Sequence, residues 1–231
     1  MGRYIVTGAN RGLGLEFVQQ LLARGERVIA ACRKPAQAQT LNTLAGNYPG
    51  HLHSLPLDVA SEKSIAEFAR EVPMVADSVD VLINNAGMLV AGEHFGNIAA
   101  KTLADSFAVN AAAPLLLTQA LAPLLATPGG KVINISSQMG SITDADTFRS
   151  VSYSMSKAAL NMATRRLGVE LAQRGLVVAA YHPGWVQTDM GGANATSDAK
   201  SSVEALLRQI DRLDASLSGG FYDRDGKVFP W

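Results

Sequence analysis

The chain has 231 residues, and its 20 Lys plus Arg balance 20 Asp plus Glu, so the formal net charge is zero. A polyanion binder needs a basic excess to displace counterions, and a disordered chain needs low hydrophobicity with high net charge; 48% apolar and 17% charged residues fit neither and supply one sizeable core. A single cysteine, Cys32, excludes an internal disulfide framework and CxxC metal knuckles.

The first predicted strand, Tyr4–Thr7, runs into Thr7-Gly8-Ala9-Asn10-Arg11-Gly12-Leu13-Gly14 and a helical pattern over Gly14–Arg24. Glycines that follow a strand and open a helix let a pyrophosphate approach backbone N–H groups, where the helix dipole favours negative charge. The spacing is GxxxGxG rather than GxGxxG, so a plain βα turn is the competing reading. The second strand, Arg27–Ala31, is followed by Cys32-Arg33-Lys34. An acid here would hold the ribose 2′-OH of NAD. None is present, and the guanidinium forks of Arg33 and of Arg11 suit a 2′-phosphate. NADPH/NADP+ is therefore expected over NADH, against the reading of two ordinary solvated arginines.

A helical pattern at Ala36–Ala45 leads to a third strand, His51–Leu57, closed by Asp58-Val59. Asp58 is either an acceptor for the adenine amino group or a turn residue. After a helix over Glu62–Glu71, the fourth strand, Val79–Asn84, ends in Asn84-Asn85-Ala86-Gly87. Gly87 permits close cofactor approach, with Asn85 and Ala86 in the same turn, and the asparagines can tie neighbouring strands. The next helical pattern, Ala99–Ala126, contains Asn110, a polar residue costly to bury. Pro114 withholds the N–H that would bond the carbonyl of residue 110, which predicts a kink and a carbonyl free to hold a water. The competing reading is a kinked helix with no further role. Its most apolar part, Ala111–Ala126, is too short and too broken by prolines for a membrane span.

The fifth strand, Lys131–Ser136, precedes Ser137, and a helix over Ser152–Arg174 carries Tyr153 and Lys157 on one face. Five Tyr and seven Lys give about 0.15 chance pairs at this spacing, so the pair draws its weight from context. The ammonium of Lys157, together with the positive nicotinamide ring of the oxidised cofactor, is expected to lower the phenol pKa from its usual value near 10 and to make Tyr153 a general acid for a carbonyl oxygen. Ser137 would donate a second hydrogen bond to that oxygen, with Ser136 as a minor rival. The sixth strand, Val177–His182, opens onto Pro183-Gly184-Trp185-Val186-Gln187-Thr188. The backbone at Pro183, Gly184 and Val186 and the Thr188 hydroxyl are candidate contacts for the nicotinamide amide and the pyrophosphate. Gly191–Ser202 reads as a mobile loop, followed by a helix over Ser202–Leu213 and a last strand near Phe221–Val228. The histidines at 51, 53, 94 and 182 make no HExxH cluster, so no metal site is expected. Strands alternating with helices predict an α/β fold, a parallel sheet with helices on both faces.

Together, TGANRGLG, NNAG, Asn110, Ser137, YSMSK and the PG turn resemble the short-chain dehydrogenase/reductase superfamily over essentially the whole chain. ISSQMGSI, KAALNM, HPGWVQTDMGG and FYDRDGKVFPW are similar to its sniffer/C-factor-like carbonyl reductases. The resemblance implies a single-domain Rossmann fold over 1–231, a doubly wound and mostly seven-stranded parallel sheet. It implies a catalytic tetrad of Asn110, Ser137, Tyr153 and Lys157, and a homodimer through the helices of 99–126 and 152–174. The segment between Ser137 and Tyr153 is longer than usual, and the loop after Thr188 is shorter, which implies an open, less selective pocket. The leading expectation is a cytoplasmic NADPH-dependent enzyme that reduces a small-molecule aldehyde or ketone, with no nucleic-acid or membrane partner. Its rival is an NADP(H)-binding regulatory or signalling protein on the same scaffold.

Overall fold

The computed structural model describes residues 1–231. Its elements are β1 (Arg3–Thr7), α1 (Gly12–Ala23), β2 (Arg27–Cys32), α2 (Gln39–Asn47), β3 (Leu52–Pro56), α3 (Glu62–Glu71), β4 (Val81–Asn84), α4 (Ala100–Phe107), α5 (Ala113–Leu121), β5 (Lys131–Ile135), α6 (Val151–Ala172), β6 (Val177–His182), α7 (Ala199–Arg212) and β7 (Gly220–Asp223). The strands form one sheet in the order β3-β2-β1-β4-β5-β6-β7. Every pairing is parallel, as the alternation of strand and helix predicts.

Successive side chains of a strand point to opposite faces. Val6 and Ile83 pack with Phe17 and Leu21 of α1 and Leu206 of α7. Ile5 and Leu82 pack with Phe68 of α3, Leu117 of α5 and Leu167 of α6. With both faces covered, the inner strands need apolar residues at every position, which is why they read as unbroken apolar runs.

One polar feature crosses this core. Asn84 and Asn134 lie directly opposite each other in β4 and β5. Asn84 Nδ2 donates to Asn134 Oδ1 at 2.9 Å, and Asn134 Nδ2 donates to Thr164 Oγ1 of α6 at 2.8 Å. Thr118 of α5 accepts a longer bond from Asn84 at 3.4 Å and returns its hydroxyl to the Pro114 carbonyl at 2.6 Å. The expected tie between strands is therefore a chain of amides and hydroxyls linking two strands to two helices.

Four expectations change. The helix expected over 99–126 is α4, a π turn at Ala108–Ala112, α5 and a 3-10 turn at Ala122–Leu124. Pro114 cannot bond the carbonyl of residue 110, and the defect takes the form of a widened turn. The helical stretch Ala100–Leu124 is long and apolar enough to cross a membrane by length and composition. Within the fold its α5 portion buries Leu117 and Leu121 completely against the sheet, so it serves as a core helix. Ala36–Ala45 resolves as a 3-10 turn at Pro35–Gln37 followed by α2. Finally, β7 stops at Asp223, because Asp223 Oδ1 accepts from the N–H groups of Asp225 and Lys227, both at 2.9 Å. The chain reverses there, and Val228 pairs back onto Tyr222 in antiparallel fashion.

The amide chain sets a stability prediction. Asn134→Ala leaves Asn84 Nδ2 and Thr164 Oγ1 short of a buried partner, which costs about 1–3 kcal/mol. Urea unfolding should show that loss with an unchanged m-value; a variant as stable as the parent would contradict it.

Candidate active site

The chain leaves β1 toward β2 and β3, then returns to build β4 to β7 on the other side. Ligands of open parallel sheets bind beyond the strand carboxyl ends at such a switch point, here between β1 and β4. The two turns at this place are tied together. Thr7 Oγ1 accepts from the N–H groups of Asn85 at 3.0 Å and Ala86 at 2.9 Å, and Asn85 Nδ2 donates to the Thr7 carbonyl at 2.8 Å. Gly8 has φ +64°, and a Cβ there would lie 3.0 Å from Ala86 Cα. A Cβ on Gly14 would fall 2.3 Å from the Gly8 carbonyl oxygen. Helix α1 starts after Arg11 with no side-chain cap and no acid in its first turn. Its first N–H groups are thus left for an anion, and the bare backbone around Gly8, Asn10, Gly12, Leu13 and Gly14 fits a pyrophosphate.

Arg33 follows β2, is exposed and pairs with no carboxylate. Arg11 forms an exposed ion pair with Asp189 at 3.0 Å, joining the glycine loop to the turn after β6. Exposed pairs are weak, so this one leaves Arg11 exchangeable. Asp58 acts as a turn residue through Oδ1, which accepts from the Ala60 N–H at 3.1 Å. Neighbouring Val59 helps line a cavity of about 10 Å³ with Thr7, Ala86, Val109 and Pro114.

Tyr153 and Lys157 project from the first turns of α6, and both are buried. Lys157 Nζ donates to the Ile135 carbonyl at 2.6 Å and lies 5.6 Å from the Tyr153 ring centroid. The Ser137 hydroxyl faces the phenol and pulls its pKa down. Ser136 instead donates to Asn161 Oδ1 at 2.7 Å, which engages it away from the phenol. A Cβ on Gly87 would lie 3.3 Å from Asn110 Oδ1 and 3.9 Å from Lys157 Nζ, which puts Gly87 beside both. Asn110 is fully engaged. Its Oδ1 accepts from the Met88 N–H at 2.8 Å, and its Nδ2 donates to the Met88 carbonyl at 2.8 Å and to Ser156 Oγ at 2.9 Å.

Burial dominates the electrostatics of the pair. Burial pushes the Tyr153 phenol up to about 12, overriding the pull of Ser137. Burial also pushes the Lys157 ammonium down to about 8. Desolvation disfavours the charged form of each group, and the ammonium of Lys157 does not offset it here.

The loop after β6 is held rather than free. Val186 and Ser197 form a parallel bridge, with the Gln187 N–H donating to Ser197 O at 2.8 Å and the Ser197 N–H to Trp185 O at 3.0 Å. Trp185 Nε1 donates to the Gly191 carbonyl at 2.8 Å, and Thr188 Oγ1 accepts from the Gly191 N–H at 3.1 Å. Asp198 caps α7 through the Ser201 N–H at 2.8 Å, so that helix starts at Ala199 rather than Ser202. Pro183 and Gly184 make the turn itself, beside a recess of about 390 Å³ lined by Gln138, His182, Trp185, Arg224 and Phe229 among others. Burial drives the His182 imidazole down to about 4, and its ring packs on Phe229 at 5.6 Å, which fits a structural role. The segment after Ser137 is tied to Trp231, whose backbone oxygen accepts from the Thr143 N–H at 2.9 Å and from its hydroxyl at 2.7 Å.

Sequence reasoning missed Asn161, Ser156, Asp189 and Glu93. Asn161 and Ser156 share the inner face of α6 with Tyr153 and Lys157, so helical spacing was a usable signal for them. Glu93 and Asp189 lie in irregular segments, where no periodicity marks them.

A profile of the short chain dehydrogenase family matches residues 3–199. The chain is 44% identical to "C-signal" of Myxococcus xanthus over 154 residues, 66% of this chain and 93% of that protein. The fold superposes on the carbonyl reductase Sniffer of D. melanogaster with a TM-score of 0.95 at 31% identity, over 100% of both chains. It superposes on the NADPH-bound carbonyl reductase from chicken fatty liver with a TM-score of 0.94 at 38% identity, over 100% of this chain and 99% of that one.

The burial of Lys157 is measurable as a pH effect. Its pKa is about 8 in the fold against 10.5 ordinarily. Between those values the unfolded chain holds more protons than the folded one, so this group makes stability rise with pH. Below about pH 8 both states carry the charge and the burial cost is complete. Lys157→Met removes the term, so its stability advantage over the parent should shrink steadily from about pH 8 to 10, read by urea unfolding. An advantage independent of pH would refute it.

Proposed function

The chain belongs to the short chain dehydrogenase family, and from that premise we propose that it is an NADPH-dependent oxidoreductase that reduces the carbonyl of an aldehyde or ketone to an alcohol. Residues 1–231 form one domain that carries both the cofactor and the substrate site. The observation that carries this reading is the buried Tyr153–Lys157 pair facing Ser137, next to a bare-backbone cradle at the switch point. The likeness to carbonyl reductases, one of them NADPH-bound, supports the cofactor and the reaction class.

Bound NADPH supplies the hydride. Gly8, Gly12, Gly14 and the first turn of α1 would hold its pyrophosphate, with Asn10 and Leu13 in the same loop. Arg33 would hold the 2′-phosphate, and Arg11 could join it by exchanging Asp189 for phosphate. Asp58 and Val59 would border the adenine; Asn85, Ala86, Gly87, Pro183, Gly184, Val186 and Thr188 would border the remainder.

The chain's own part is proton supply and charge stabilisation. The Tyr153 phenol, its pKa raised by burial, enters the reduction with its proton in place. As the substrate oxygen gains negative charge, the Tyr153 hydroxyl transfers its proton and the Ser137 hydroxyl donates a hydrogen bond. Lys157, 5.6 Å from the ring centroid, stabilises the phenolate left behind. Asn110 holds the loop at Met88 against Ser156 of α6 and so keeps the site's wall in place.

We also propose a homodimer through the 99–126 and 152–174 helices. Met155, Met162 and Val169 recur at intervals of seven along α6 and are exposed, as are Phe107 of α4 and Leu115 of α5. Such a stripe is the usual seam for a second helix pair. The likeness to C-signal favours a second reading, a dinucleotide-binding signalling protein with little turnover.

Turnover separates the readings. Tyr153→Phe should lower kcat about 10²- to 10⁴-fold on α-dicarbonyls and quinones while NADPH still binds. Equal activity in the two proteins, or none in the parent, would remove the reductase reading. Arg33→Ala should weaken NADPH about 10- to 100-fold and leave NADH unchanged, the cost of one charge-assisted hydrogen bond; equal weakening of both would overturn the 2′-phosphate assignment. Light scattering should give a dimer mass that Met162→Glu reduces to a monomer, and a monomeric parent would refute the assembly.

A further inference from the structure

We infer that Glu93 is a positioning residue for the general acid: it caps α6 at the residue before Tyr153 and ties the loop after β4 to the helix that carries the chemistry. This rests on the reductase reading above.

Helix α6 begins without a cap of its own. Ser150, at the N-cap position, has φ +44° and makes no side-chain cap bond. The first N–H groups of a helix need acceptors from elsewhere, and an uncapped start frays. Glu93 supplies the acceptor across 59 residues of chain: its Oε2 accepts from the Ser152 N–H at 3.0 Å and from Ser152 Oγ at 2.9 Å. Ser152 is 1% exposed, so the grip is internal. A carboxylate at this end is also favoured by the helix dipole.

Glu93 pairs with no cation, and its second oxygen, Oε1, is buried with no partner. Burying an unpartnered carboxylate oxygen is unfavourable, so the Ser152 contact must compensate for it. A surface acid serving solubility would not sit this way.

The grip has a counterpart on the other side of the phenol. Ser156 accepts from Asn110, which holds Met88 by both backbone groups. Tyr153 therefore lies between two anchors, Ser152 and Ser156, each running to the same loop after β4. The edge-on contact of Phe95 with Phe148, 5.7 Å between centroids, joins that loop to the segment before α6 a third time. Asn110 alone fixes the helix from its second turn. Glu93 fixes it at the start, where the phenol faces Ser137. Small misplacement of a reacting group costs rate far more than binding.

The test uses the full chain with NADPH and 9,10-phenanthrenequinone, at a temperature where each variant is folded by circular dichroism. Glu93→Ala should lower kcat about tenfold, with the NADPH dissociation constant and the quinone KM within about twofold of the parent. Glu93→Gln keeps an oxygen for the Ser152 N–H and should recover kcat to within about threefold. If Glu93→Ala does not fold, Ser152→Ala, which deletes one of the two bonds, should lower kcat two- to threefold, roughly, and show non-additivity with Glu93→Gln. A parental kcat in Glu93→Ala, a loss mirrored in NADPH binding, a Gln variant no better than Ala, or strict additivity would each overturn the assignment. Tyr153→Phe serves as the reference: if it keeps activity, the reductase reading itself fails, whereas an inactive Tyr153→Phe beside a normal Glu93→Ala removes only the role of Glu93.

Discussion

A parallel sheet covered on both faces leaves no room for a polar side chain except where its strands end. That constraint organises this molecule. Ile5, Val6, Leu82, Ile83, Val132 and Ile133 are all fully buried, and the polar residues crowd into the last position of a strand or the first two beyond it: Thr7, Asn84, Ser136, Ser137. Asn134 sits one place earlier and is tolerated because its amide is bonded on both sides. The edge that collects these groups is the edge where the connections to the helices start, so hydrogen-bonding capacity, bare glycine backbone and the mouth of the switch point coincide.

The same exclusion of water sets the character of the reacting pair. Tyr153 and Lys157 are placed by their burial and also driven toward neutrality by it. The two effects are usually discussed apart, but here one solvent-free environment produces both. It gives a phenol that keeps its proton across the physiological range and an ammonium that is easy to deprotonate. A phenol held this tightly gives its proton only to an oxygen that is itself acquiring full negative charge, and only with a cation beside the phenolate that results. Reversal would require something positive enough nearby to outweigh the desolvation of a phenolate.

Much of the fold was legible in the sequence because its period was strict. The inner strands were recognisable as apolar runs, and the Tyr153–Lys157 spacing as one face of a helix. Thr7-Gly8 and Asn84-Asn85 were recognisable as strand-end turns, and the structure ties them to each other as well as to the sheet. What could not be read depended on distance in the chain or on competition between local bonds. The engagement of Ser136 away from the phenol depended on Asn161, 25 residues away. The end of β7 depended on one carboxylate oxygen of Asp223 collecting two N–H groups. The loop after Gly191 looked small and polar, yet a two-stranded bridge at Val186 and Ser197 fastens it.

The π turn at Ala108–Ala112 has a consequence for how this chain can vary. A π turn carries one residue more than the α-helical turn it replaces, and each residue of an α-helix turns the chain by about 100°. Deleting any one residue from this stretch would let the backbone regularise into an unbroken helix. Everything upstream would then be rotated by roughly that angle against α5. Asn110 would lose its aim at Met88, and the side of α4 that now meets α6 would turn away. Substitution at Ala108, Ala111 or Ala112 alters a side chain; a change in their number alters a phase. The stretch behaves as a counting device: with Asn110 kept, its length constrains the site more than the side chain at Ala108 or Ala112 does.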